Sequence, residues 1–135
     1  MRKALTSLVL AALLISPALR AQEAPPANQQ HPGNVALAEE SGVWVYKQFP
    51  TMLRLYVFDD DKPGKLACVD DCLLRWPPLF APPGSKNVGQ WGTVKRADGS
   101  LQWAYKGRPA YMRFHDSVSQ PMGDGVDGKW HFLEP

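Results

Sequence analysis

A mainly β fold is what this 135-residue sequence predicts: a small antiparallel β domain of two related strand-loop-strand repeats with one short helical turn. Three observations carry that expectation. From Gly42 onward, short alternating apolar and polar runs are broken by Gly, Pro and Asp, the pattern of half-buried strands rather than helices. All 14 aromatic residues lie at or after Trp44, which concentrates the folding information in residues 42–135. Aromatic and acidic positions also recur at a spacing of 54 or 55 residues, marking two units at about 53–80 and 101–135.

The N-terminus reads as an export signal. Arg2 and Lys3 give a positive start, Ala4 to Ile15 an apolar run too short to span a bilayer, and Ser16 to Ala21 a small-residue end. Residues 1–21 are therefore expected to be a signal peptide cut after Ala21. With no Cys at the cut, lipid anchoring is not expected, and no later segment suits a membrane span. Three of the 15 basic residues belong to this leader, leaving twelve against 13 acidic ones. Without a net positive field, neither nucleic acid nor an anionic membrane is the expected partner. Residues 22–41 lack aromatics and are rich in Gln, Ala, Pro and Asn, so a flexible linker is expected.

Val43–Lys47 and Leu53–Phe58 read as a hairpin, the second strand placing Leu53, Leu55 and Val57 opposite Arg54, Tyr56 and Phe58. The sequence around Asp98-Gly99 joins a second pair of strands, Trp91–Arg96 and Leu101–Lys106, through a turn whose Gly tolerates positive φ. Ala110–Phe114 and Lys129–Leu133 complete about six strands. Val69–Arg75 is the helical candidate, and the Pro pair after Trp76 forbids its continuation.

Tyr56, Phe58 and Asp61, followed by Pro63-Gly64, the Cys68 and Cys72 pair and Trp76-Pro77-Pro78, line up with Tyr111, Asp116, Pro121, Gly123 and Trp130. On these motifs, residues 53–135 resemble a bacterial secreted-repeat family described as predicted lipoproteins with a Y-x-[FWY]-x-x-D motif, whose function is unknown. Two departures stand out. The family's lipid-acceptor Cys is absent, which favours a free periplasmic or secreted form, and Arg113 stands where the second motif would carry an aromatic.

Cys68 and Cys72 are the only thiols, and in an oxidising compartment a disulfide between them is expected. The sharper alternative is a periplasmic copper-binding or thiol-redox site, because two thiolates suit Cu(I) when His115, His131, Met112 or Met122 adds a ligand. Asp70 and Asp71 beside the thiols argue against it by disfavouring thiolates. The acidic and Gly-rich stretches 59–61 and 123–128 suggest calcium, but EF-hand spacing is missing and turn chemistry explains them. In that reading Asp61 bonds the amides of the Pro63-Gly64 turn.

Catalytic motifs are absent from the sequence, and His115 and Asp116, as strand neighbours, would face opposite ways. Arg54, Arg113 and Lys129 among the aromatics suggest a stacking surface for a sugar or peptide. The expectation is a non-catalytic envelope binding or interaction module without a cofactor, for an unknown envelope ligand or protein. A copper or redox protein and a cell-wall glycan binder are the alternatives.

Overall fold

The computed structural model describes residues 24–27 and 29–135; the expected signal peptide lies outside these residues. The fold is mainly β, in three antiparallel sheets. Strands β1 (Val35–Glu40), β2 (Val43–Gln48) and β3 (Leu53–Arg54) form the first, in that order. The second pairs β4 (Tyr56–Phe58) with β9 (Trp130–Phe132). The third contains β5 (Phe80–Ala81), β6 (Trp91–Lys95), β7 (Leu101–Tyr105) and β8 (Arg108–Pro109), with β7 bonded to the other three. Helix α1 (Asp71–Arg75) and one 3-10 turn at Val126–Gly128 are the helical pieces among the described residues.

The β6–β7 hairpin follows its turn chemistry. Gly99 has φ +87°, Arg96 and Ser100 close the loop, and Lys95 pairs with Leu101. Lys106 and Gly107, at φ 48° and 80°, make the two-residue reversal into β8, where two consecutive positive φ angles match the twist of the flanking strands.

Four expectations change. Residues 35–40 are strand β1 rather than linker, pairing with β2 from Val35↔Gln48 to Glu40↔Val43. Leu53–Phe58 is two strands: β3 completes the hairpin with β2, whereas β4 leaves it to pair with β9. The described residues therefore form nine strands instead of about six. In Ala110–Phe114, Tyr111 makes isolated bridges to Tyr56 and Pro78, and His115 sits outside any strand at φ 71°. The change at β1 has an ionic cause. Glu40 bridges the buried Lys47 of β2 and Arg54 of β3. Burial opposes its charge, yet hydrogen bonds and attraction from both cations hold its carboxyl below the usual range.

Alternation along Leu55–Phe58 does predict two faces, and both are covered. Leu55 and Val57 join a core with Tyr46, Leu79, Trp91 and Trp103, whereas Tyr56 joins a second with Cys68, Trp76, Tyr111 and Trp130. Within the second cluster, Tyr56 and Tyr111 exchange backbone hydrogen bonds of 2.8 and 2.9 Å. Their hydroxyls then cross over: Tyr56 donates to Asp116, and Tyr111 donates to Asp61 at 2.8 Å. Each Asp also accepts one backbone amide six residues on, Ala67 for Asp61 at 2.7 Å and Met122 for Asp116 at 3.1 Å. Asp61 thus closes its loop at Ala67 rather than at Pro63-Gly64, Pro63 having no amide hydrogen to give.

Burial and the facing carboxylates push both tyrosine pKa values upward, as burial and Tyr105 push Tyr46 up to about 12. The fold therefore keeps these phenols protonated while unfolded tyrosines ionise near about pH 10. The stability they confer is complete below that pH and is lost as pH rises beyond it. Thermal melts followed by circular dichroism should be level from about pH 7 to 9 and fall above about 10. The fall should be shallower in Tyr56→Phe/Tyr111→Phe; equal slopes in the two proteins would exclude these hydroxyls as its source.

Candidate ligand cleft and the motif residues

Cys68 and Cys72 form a disulfide, with Cα atoms 5.3 Å apart. It spans the start of α1 and holds Cys68 fully buried against the second core. The Cys68 carbonyl accepts from the Arg96 guanidinium at 2.7 Å, and Arg96 also donates to Gln102. The disulfide loop is thereby tied to the β6–β7 hairpin.

Between that loop and the hairpin lies a cleft of about 760 Å³. Leu66, Val69 and Leu73 form one apolar wall and Val94, Ala97 and Pro109 the other. Lys62 and Lys65 stand on the loop side and Lys95 on the hairpin side, with Arg96 at the wall, and Asp70 and Asp98 complete the lining. The size lies within the range of small-molecule pockets, about 300–1,000 Å³. Sequence reading missed this site because its charged and apolar residues come from segments some thirty positions apart and carry no shared motif.

The motif residues build a different feature. Trp76 and Trp130 stack at 3.7 Å with planes 3° apart, and Phe58 stacks on Trp130 at 4.3 Å. The Arg113 guanidinium lies 5.5 Å from the centre of the Trp76 ring. Arg113 thus supplies a cation–π contact where the motif would have an aromatic. Beside this stack is a second cleft, of about 650 Å³, lined by Phe58, Cys72, Arg113, His115 and Lys129 among others.

The alternative metal ligands are not gathered. Cys72 and His115 border the second cleft, but Met112 packs against the other core, and among the described residues no three His, Cys, Asp or Glu side chains form a metal-holding group. His131 pairs with Asp59 at 2.7 Å, whose carboxyl is held below its usual range by that bond. Met122 is exposed. The expected stacking surface is also divided: Arg54 is buried, 3.8 Å from the Phe132 ring, whereas Arg113 and Lys129 line the second cleft. Tyr56, Trp103 and Tyr111 are buried and present no platform for a glycan. Among the described residues, no helix is long and apolar enough to cross a membrane.

Residues 92–134 match the sequence model of a family described as a secreted repeat of unknown function. That is the family whose motifs residues 53–135 resemble. The match begins at Gly92 and so takes in the β6–β7 hairpin, ahead of the expected second unit. No curated protein and no solved structure matches the chain.

Proposed function

We propose, from the premise that residues 92–134 are a secreted repeat of this family, that the chain works after export as a non-catalytic binding module of the envelope. The observation that carries this reading is the cleft between the disulfide loop and the β6–β7 hairpin, walled on both sides by apolar side chains. The motif residues serve it indirectly. Asp61 and Asp116 each spend their oxygens on a tyrosine hydroxyl and a backbone amide, leaving an architectural role rather than an acid–base one.

The same contacts favour two copies of one unit interlocked about the Tyr56–Tyr111 pair. Leu79 donates to the Ala110 carbonyl at 2.9 Å, and Leu133 donates to the Leu55 carbonyl at 2.8 Å, each joining the end of one unit to the start of the other. Hairpin β1–β2 followed by β3 is in this reading the counterpart of hairpin β6–β7 followed by β8.

A neutral solvatochromic dye, Nile red, tests the cleft with the exported, oxidised protein. The expected result is saturable blue-shifted emission, weakened at least about fivefold by Val69→Glu. Val69 is 45% exposed, so the variant should melt with the wild type. Dye binding that ignores Val69→Glu, or the absence of saturable binding, would remove the cleft as the functional site. Intact mass of the same preparation should show loss of residues 1–21 and two hydrogens fewer than the dithiol.

A further inference from the structure

We infer that the cleft takes an amphipathic anion, a small molecule with an apolar body and one acidic head of the carboxylate or phosphate kind. This rests on the binding-module reading and gives it a ligand class. The walls ask for an apolar body: Leu66, Val69 and Leu73 face Val94 and Pro109, and a hydrocarbon laid between them leaves water without exposing any donor or acceptor of its own.

The rim asks for the acidic head. Lys62 and Lys65 line the cleft from the loop segment and Lys95 from the end of β6, each on a flexible stem that can lie along apolar surface and turn its charge toward an anion. Lys62 donates to the Asp59 carbonyl at 2.9 Å, and none of the three lysines is ion-paired among the described residues. The two lining acids offset them only in part, since four basic side chains and two acidic ones line the cleft. Asp98 turns its carboxylate into its own turn, accepting from the Ser100 amide at 2.9 Å and the Ser100 hydroxyl at 2.6 Å. Asp70 makes no side-chain cap hydrogen bond at the start of α1 and leaves a carboxylate on the loop side of the lining.

Arg96 adds a fixed charge behind the rim. It is 7% exposed, its guanidinium is spent on the Gln102 side chain and the Cys68 carbonyl, and no carboxylate lies within ion-pair distance of it among the described residues. Asp98, in the turn of the same hairpin, attracts it without forming an ion pair. A low-dielectric wall carrying such a charge focuses positive potential into the cleft. An amine head meets that potential as a repulsion, and a neutral head gains nothing from it.

Four ligands sharing one eight-carbon chain separate the terms: octanoate, octyl phosphate, octan-1-ol and octylamine, titrated calorimetrically into the exported, oxidised full-length mature protein. The anions should bind about fivefold more tightly than the alcohol, and the amine more weakly still. The ratio of octanoate to octyl phosphate identifies which acidic head the rim prefers. Lys65→Glu/Lys95→Glu changes two exposed residues clear of both cores. It should weaken octanoate about tenfold, leave octan-1-ol unchanged and keep the wild-type melting temperature. Octan-1-ol binding as tightly as octanoate, or octanoate binding that ignores the double variant, would overturn the anion preference while Nile red uptake keeps the cleft itself. Failure of all four ligands together with Nile red would overturn both.

Discussion

Gly123→Ala is expected to destabilise the protein by about 3 kcal/mol, at the upper end of what overpacking a core costs. A Cβ at this position would lie 2.5 Å from Tyr56 Cε1, 2.7 Å from Tyr56 Cζ and 2.9 Å from Trp76 Cη2. Real Cβ contacts do not come that close, so the rings or the backbone must move. Neither ring is free to do so. Tyr56 is tied through its backbone to Tyr111 and through its hydroxyl to Asp116, and the Gly123 amide donates to the same hydroxyl at 3.2 Å. Trp76 is held from the other side by Trp130. Space, not backbone conformation, is the reason this residue is glycine. For a domain of this size about 3 kcal/mol is a fall in melting temperature of roughly 12–20 °C, to be read from thermal melts and checked by urea unfolding. Gly33→Ala, where an added Cβ meets nothing within 4 Å, is the control and should stay within about 0.5 kcal/mol of wild type. If Gly123→Ala also melts within a few degrees of wild type, Tyr56 and Trp76 are not packed as described.

What the sequence makes visible is what local chemistry decides. Asp98-Gly99 specifies its hairpin because the turn needs positive φ and the flanking runs alternate, and Trp76-Pro77-Pro78 stops α1 because proline cannot continue it. Strand β1 is invisible for the opposite reason. Val35–Glu40 carries Ala and Glu, residues depleted in strands, and becomes a strand because β2 supplies its hydrogen bonds and Glu40 pairs with both Lys47 and Arg54. The sequence separates Tyr56 from Asp61, and Tyr111 from Asp116, by five positions each. Spacing alone cannot reveal that each tyrosine bonds the other copy's aspartate. Alternation in Leu55–Phe58 shows that the strand has two faces but not that both are covered. The cleft is the least legible feature: Lys62 and Lys65 read as a solvated loop and Lys95 as a hairpin's outer face, until Arg96 and the disulfide loop bring those segments together.

Trp130→Ala should have the largest effect of any single substitution considered, a loss of about 4 kcal/mol. Total stabilities are about 5–15 kcal/mol, so the variant should survive export poorly at growth temperature and unfold at much lower urea. The size follows from how many partners the indole serves at once: Trp76 stacked at 3.7 Å, Phe58 stacked at 4.3 Å and Tyr111 edge-on at 5.2 Å. Alanine would leave a cavity bordered by Trp76, Phe58 and Tyr111, the last pinned through its hydroxyl to Asp61, so little collapse can fill it. Trp130→Phe retains a ring in the stack and should lose less than half as much. It also gives a reading that stability alone does not: two indoles at 3.7 Å with nearly parallel planes couple their electronic transitions, producing a paired positive and negative band in the circular dichroism spectrum. That pair should vanish in Trp130→Phe and persist in Trp103→Phe, because Trp103 lies in the other core. Arg113→Phe, which places the motif's aromatic beside Trp76, exchanges a cation–π contact for a ring contact of similar worth and should stay within about 1 kcal/mol of wild type. Loss of the coupled bands in Trp103→Phe, or a Trp130→Ala protein that melts with the wild type, would mean that the Trp76–Trp130 stack does not hold the second core together.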